Sequence, residues 1–165
     1  MFLINSLLIN SYIETENPTL EILKFNKKGL QHTFYYFRFG GEGSINDNAF
    51  YITDISESKS ITLEPGDFAE IKSLETFNLG EQVMGIIGQS SDLIRHGIQL
   101  LHSPFIDSGF KGQLSFGLKN LSNKTFYLEF EKTIIGKVSF FDISDTYPIN
   151  IKKNSIFYKR YFEEQ

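Results

Sequence analysis

From residue 30 onward the chain never runs far without a break. Short apolar-rich runs at 33–39, 61–63, 68–74, 82–87, 98–102, 113–119, 125–130 and 134–141 alternate with clusters of turn-forming residues. Runs this short, at intervals this close, leave little room for helices of ordinary length and predict an all-β sandwich or barrel. Aromatic content points the same way. Seventeen Phe and eight Tyr are a heavy load for 165 residues, and rings pack well on a pleated surface.

The breaks between runs have recognisable chemistry. Residues 33–39 end at Gly40-Gly41, and 41–48 reads as a polar, Gly-rich loop. Glu64-Pro65-Gly66-Asp67 is a turn in which Pro presets φ and Gly accepts a positive φ. Asn78-Leu79-Gly80-Glu81 reads as another. One short helix is expected at 90–97, capped by Ser90 or Ser91 and ended by Gly97. The apolar start MFLINSLLIN follows no Lys or Arg, precedes no small-residue cleavage pattern and is too short to cross a bilayer. It is expected to pack on the body as a short helix or strand. The tail 149–165 is aromatic and charged, without a legible period. With no internal repeat and no low-complexity linker, residues 1–165 are expected to form a single domain.

Composition removes several classes of function. The chain has no Cys, which excludes disulfides, thiolate zinc sites and Cys nucleophiles. Three His make a His-rich metal cage improbable on number alone. A formal net charge of −4 gives no bulk attraction to a nucleic-acid backbone, so no nucleic-acid partner is expected. No membrane partner and a cytoplasmic location are expected as well. A small anionic ligand stays open, because a local cluster of donors outweighs a weak overall field.

Two segments can carry chemistry. In Gly88-Gln89-Ser90-Ser91-Asp92-Leu93-Ile94-Arg95, two hydroxyls open a short helix. The free N–H groups of a first turn attract anions, and Arg95 lies about one turn further on. The same residues also read as a plain helix cap with a surface Arg. In Phe105-Ile106-Asp107-Ser108-Gly109-Phe110-Lys111-Gly112, a tight turn presents a carboxylate and a ring. Asp107 there can accept a proton from an attacking water, or serve only to cap the turn.

Taken together and in this order, the two segments resemble the core motifs of the dUTPase/dCTP deaminase family. Members carry Arg-Ser-Ser or Arg-Ser-Gly before a short helix, then Ile-Asp-x-Gly/Asp-aromatic-x-Gly, then a strand ending in Asn. Here those places hold Gln89-Ser90-Ser91, the 106–112 turn and Asn120. The segment from Thr62 to Phe68 looks like the deaminase branch's turn, 31–40 looks like the family's early strand, and 135–140 looks like its late strand. The resemblance therefore covers 31–141. It implies a mainly β, distorted barrel or jelly-roll of the β-clip type with one or two short helices. It also implies a homotrimer whose sites form between subunits.

The activity implied is that of a pyrimidine deoxynucleoside triphosphate pyrophosphatase of the dUTPase type, cutting dUTP to dUMP and pyrophosphate, with the substrate in the dUTP or dCTP class. Mg²⁺ would enter through the substrate phosphates. Ser90, Ser91 and Arg95 would hold phosphates, and Gln89 and Lys137 would also contact the substrate. Asp107 would activate water, Phe110 would pack on the deoxyribose, and main-chain groups near 102–106 and 114–116 would read the base. Departures from the family are equally specific. Gln89 replaces the Arg before the Ser pair, Tyr36 replaces an Asp, and Lys137 replaces a Gln. Gly117 stands where the deaminase branch carries its acid/base Glu, which disfavours dCTP deamination. The tail 149–165 contains none of the Gly-rich phosphate cover of dUTPases. A catalytically inactive nucleotide-binding or scaffold relative is the alternative that these departures imply.

Overall fold

The computed structural model describes residues 1–4, 19–53 and 56–144. They form twelve strands: β1 (Phe2–Ile4), β2 (Leu20–Leu23), β3 (Tyr35–Ile45), β4 (Asn48–Tyr51), β5 (Ser60–Leu63), β6 (Phe68–Leu79), β7 (Val83–Gln89), β8 (Ile98–Leu101), β9 (Phe105–Ile106), β10 (Lys111–Asn120), β11 (Phe126–Glu129) and β12 (Ile134–Asp142). One α-helix, α1 (Ser91–Arg95), and one 3₁₀ turn at Lys27–Gly29 complete the described elements. Among these residues no helix is long and apolar enough to cross a membrane.

Ten strands belong to one antiparallel sheet ordered β8-β10-β6-β3-β12-β7-β9, with β1 on β12, β2 on β6 and β4 on β3. β5 and β11 pair separately. The sheet curls because β3 serves two neighbourhoods. Its first half pairs with β12 and its second half with β6, with a register break between Phe39 and Gly43. An irregularity of this kind bends a strand and increases its twist. Apolar rings fill the space inside the curl. Phe37 stacks on Phe116 at 5.1 Å and meets the edge of Phe77 at 6.2 Å, and Phe77 reaches Phe140 at 6.3 Å. Four of the five rings in Tyr35, Phe37, Phe77, Phe116 and Phe140 are wholly removed from solvent, and Phe116 nearly so.

β6 carries a second irregularity that matters for stability. Register passes from Gln113↔Thr76 to Ser115↔Lys72, so residues 73–75 face Leu114 alone. Ser73 Oγ accepts the Leu114 N–H at 2.9 Å, and Gln113 donates to the Ser73 carbonyl at 2.7 Å. Glu75 is turned into the interior with no exposure. Its carboxylate accepts from the Arg38 backbone N–H and Nε, each at 2.8 Å, and from the Tyr35 hydroxyl at 3.1 Å. A buried carboxylate demands this degree of satisfaction.

Two sequence expectations need correction. Residues 41–48 are not a loop: β3 continues to Ile45, and Asn46-Asp47 form the tight connection to β4 with φ of 46° and 68°. Asn and Asp tolerate the left-handed region that such hairpin turns need. Likewise, β6 runs through Leu79, and the turn lies between Gly80 and Val83, whose N–H donates to the Gly80 carbonyl at 3.1 Å. The expected strand or helix at the N-terminus is seen as β1. Residues 5–18 of that region and the tail 149–165 lie outside the described residues.

Candidate functional site

β8 pairs with β10 only over Gly117–Asn120. Beyond Leu101 the chain leaves β10, and β9 joins β7 instead, with Ile106 opposite Gly85 and Phe105 opposite Ile86. The 113–116 stretch of β10 therefore has no strand partner on that side. A cleft of about 240 Å³ occupies the split, with His102, Ser103 and Phe105 on one side, the 113–116 edge on the other, and Phe110 contributing to the wall. Unpaired peptide edges beside apolar rings suit a flat heterocycle with polar rims. This is where the resemblance puts base and sugar recognition. His102 was not legible as a site residue, since it reads as the polar end of an ordinary strand.

Asp107 lies on the turn that joins β9 to β10. Its carbonyl accepts the Phe110 N–H at 3.2 Å, and Gly109 adopts a φ of 79°. The carboxylate is exposed and has no hydrogen-bond or ion-pair partner among the described residues. It is thus not needed to hold the turn by its side chain, and it lies in the same turn as Phe110, outside the residues that line the cleft.

The other motif lies at the far end of β7. Ser90 is buried, and its hydroxyl accepts the Leu93 N–H at 3.2 Å as the N-cap of α1. Gly97, with φ of 72°, follows the helix as expected. Gln89 is engaged as well. Its amide donates to the Ile98 carbonyl, and its oxygen accepts the Leu100 N–H at 3.2 Å. It pins β8 to the end of β7 in place of facing a ligand. Ser91 and Arg95 are exposed, and Arg95 lines a separate cleft of about 400 Å³ with His96 and Lys124. Lys137 pairs in register with both Gly88 and Tyr36. Its chain runs across Gly88, and its ammonium sits 5.0 Å from the centre of the Phe34 ring.

Within one chain the two motifs do not meet. Gly85 is level with Ile106, and six residues of nearly extended chain from Gly85 to Ser91 span roughly 20 Å.

Gly117 and Asn120 have structural explanations. A Cβ at Gly117 would lie 2.9 Å from the Phe68 ring and 3.2 Å from Leu101 Cβ, so no larger side chain fits unless Phe68 moves. Asn120 is buried; its amide donates to the Leu63 and Lys124 carbonyls, both at 2.8 Å, and its oxygen accepts from Ser122. Among the described residues no group of three or more His, Asp or Glu is placed to hold a metal ion.

The family model for dCTP deaminase-like proteins matches residues 29–143. The chain belongs to the dCTP deaminase-like family. It is 31% identical over 111 residues to the dCTP deaminase of Thermococcus kodakarensis, covering 67% of this chain and 69% of that one. A dUMP-forming dCTP deaminase from Salinispora tropica is 34% identical over 79 residues, 47% of this chain and 41% of that one. Among solved structures, the 2'-deoxycytidine 5'-triphosphate deaminase from Agrobacterium tumefaciens superposes with a TM-score of 0.66 at 12% identity. That match covers 84% of this chain and 47% of the deaminase, so the chain spans about half its length. A dUTPase from phage phi11 of S. aureus gives 0.50 at 14% identity, over 76% and 91% of the two chains. The chain is thus a member of the dUTPase/dCTP deaminase-like superfamily, and its fold is the one it shares with those structures.

Proposed function

We propose that this member is a pyrimidine deoxynucleoside triphosphate pyrophosphatase of the dUTPase type. The observation that carries the reading is the cleft between the 102–105 segment and the unpaired edge at 113–116, with Phe110 in its wall and a free carboxylate three residues before that ring. The base would lie against the open peptide edge, and the deoxyribose against Phe110. Asp107 would take a proton from a water as its oxygen attacks the α-phosphorus. The bond to the bridging oxygen of the β-phosphate breaks, and pyrophosphate leaves with its magnesium. For dUTP the products are dUMP and pyrophosphate, and a cytosine nucleotide would be cut at the same bond.

Phosphate contacts would come from Ser91, Arg95 and Lys137 of another copy, in keeping with the homotrimer implied by the family resemblance. Exposed Ile86 and Phe105, opposite each other on β7 and β9, offer apolar area to such a neighbour. A second reading, a catalytically inactive nucleotide-binding or scaffold relative, is favoured by Gln89 and Ser90, expected phosphate contacts whose side chains are committed to the fold. Deamination is disfavoured because Gly117, at the place of the deaminase branch's acid/base Glu, has no side chain to carry a proton.

Incubation with dUTP, dCTP and Mg²⁺, followed for pyrophosphate and ammonia, tests all three. The expected result is pyrophosphate alone. Asp107→Asn should lower its release by about 10²–10⁴-fold without changing thermal stability, since the carboxylate is exposed. Ammonia release would refute the argument from Gly117. Silence in both assays, with a nucleotide raising Tm, would leave binding alone.

A further inference from the structure

We infer that the cleft between the end of α1 and the 122–126 segment is a second ligand site, suited to a small organic phosphate and separate from the nucleoside cleft. Its walls are residues 94–97 and 122–126, and they enclose about 400 Å³. That volume lies within the range of small-molecule sites and exceeds what a lone phosphate fills. The walls are joined to each other. The Leu121 N–H donates to the Gly97 carbonyl at 2.9 Å, and a Cβ on Gly97 would meet the Ser122 Cβ at 3.0 Å. The Lys124 carbonyl accepts the Asn120 amide at 2.8 Å and the Ser122 hydroxyl at 3.0 Å, so the second wall is held by main-chain contacts. His96 is held as well: its Nδ1–H donates to the Asp92 carbonyl at 2.8 Å, and its ring centre lies 5.4 Å from that of Phe126. The cleft therefore exists before any ligand arrives.

Its lining reverses the sign of the chain, whose net charge is −4. Arg95 lies on one wall and Lys124 on the other, both exposed. Neither side chain has a hydrogen-bond or ion-pair partner among the described residues. No carboxylate lines the cleft. The two that touch its walls are engaged: Asp92 lies 3.5 Å from His96 Nδ1, and Glu64 accepts the Thr125 hydroxyl at 2.7 Å. Long cationic side chains swing on several rotatable bonds, so both charges can close on an anion held between the walls. Two unopposed cations favour a dianion, and a phosphomonoester carries nearly two charges at neutral pH. Exposed Ile94 and the Phe126 ring line the same space and add apolar surface, which a bare ion leaves uncovered. The inference needs no second copy of the chain and does not rest on the proposed function; the two share only Arg95.

The three histidines of the chain make the test direct, because His96 lines this cleft, His102 lines the nucleoside cleft and His32 lines neither. Their ring proton signals are followed by NMR as the full chain is titrated with phenyl phosphate, at one mildly alkaline pH so that movement reports contact and not titration. His96→Gln identifies its signal. The His96 signal should move and saturate while that of His102 stays in place. Inorganic phosphate should bind about 3-fold or more weakly than phenyl phosphate. Lys124→Gln should weaken phenyl phosphate by about 10-fold, and Lys124→Arg should keep most of the affinity, since one charge-assisted contact is lost and then replaced. Both variants leave the Lys124 carbonyl and its two contacts in place. No saturable movement of His96, equal movement of all three signals, or an affinity indifferent to Lys124 would overturn the site. Phosphate binding as tightly as phenyl phosphate would overturn its organic occupant. An α,β-imido analogue of dUTP that leaves His102 unmoved would count against the proposed function and not against this site.

Discussion

Arg38→Met probes Glu75, a buried carboxylate beside the aromatic rings of the core. Glu75 is fully removed from solvent, whereas the Arg38 side chain keeps 18% of its exposure. The substitution leaves the carboxylate the Arg38 backbone N–H and the Tyr35 hydroxyl, but takes away the cation and the Nε–H bond at 2.8 Å. It also strips the Lys24 carbonyl of its guanidinium partner, another 2.8 Å contact. Breaking a buried pair on one side costs about 3–5 kcal/mol. Partial exposure of Arg38 lets water approach, so the low end, about 3 kcal/mol, applies. For a chain of this size each kcal/mol moves Tm by about 2–4 °C, which gives a fall of about 6–12 °C. Circular dichroism melts in the far and near ultraviolet measure it. Adding Glu75→Gln to Arg38→Met removes the stranded charge and should recover part of the loss. A fall of less than about 2 °C in the single variant, or a double variant no more stable than the single, would refute this account of the pair.

Tyr35 and Gln89 give further tests. Burial, and then the nearby Glu75 carboxylate, push the Tyr35 hydroxyl well above the usual tyrosine range. The unfolded chain loses this proton near pH 10 while the folded protein keeps it, so the group's contribution is intact below about pH 10 and declines as pH rises beyond it. Urea midpoints should therefore drop less steeply with alkali in Tyr35→Phe than in the wild type; parallel curves would count against the shift. Gln89→Leu leaves the Ile98 carbonyl and the Leu100 N–H without their partner, at about 1–3 kcal/mol for each group that stays buried. Apo Tm should fall by several degrees. An unchanged apo Tm with a lost response to nucleotide would instead make Gln89 a phosphate ligand.

Local chemistry explains what could be read without coordinates. Glu64-Pro65-Gly66-Asp67 forms its turn, with Gly66 at φ of 86° and the Asp67 N–H on the Glu64 carbonyl at 3.0 Å. Ser90 caps α1 and Gly97 follows it for reasons contained within a few residues. Errors arose where a strand's course depends on its partners. Gly40-Gly41 signals a break, yet a Cβ at Gly40 would sit 2.5 Å from the Ser73 carbonyl, so the glycine answers to close approach of β6 and lets β3 continue. Gln89 reads as a substrate contact in the sequence because nothing nearby announces that β8, nine to eleven residues later, will claim its amide.

The order of short apolar runs, turn residues and motif positions determined a β architecture, its short helix at 91–95 and the two segments worth testing, because turns, caps and strand periodicity are short-range properties of a chain. Tertiary structure decided the rest. The divergence of β8 from β10 opens the cleft, places His102 in its wall, and separates Asp107 from Ser91 along the length of β7. Those outcomes follow from which strand edges pair across the intervening chain, and pairing energy resides in both partners, so neither segment records it alone.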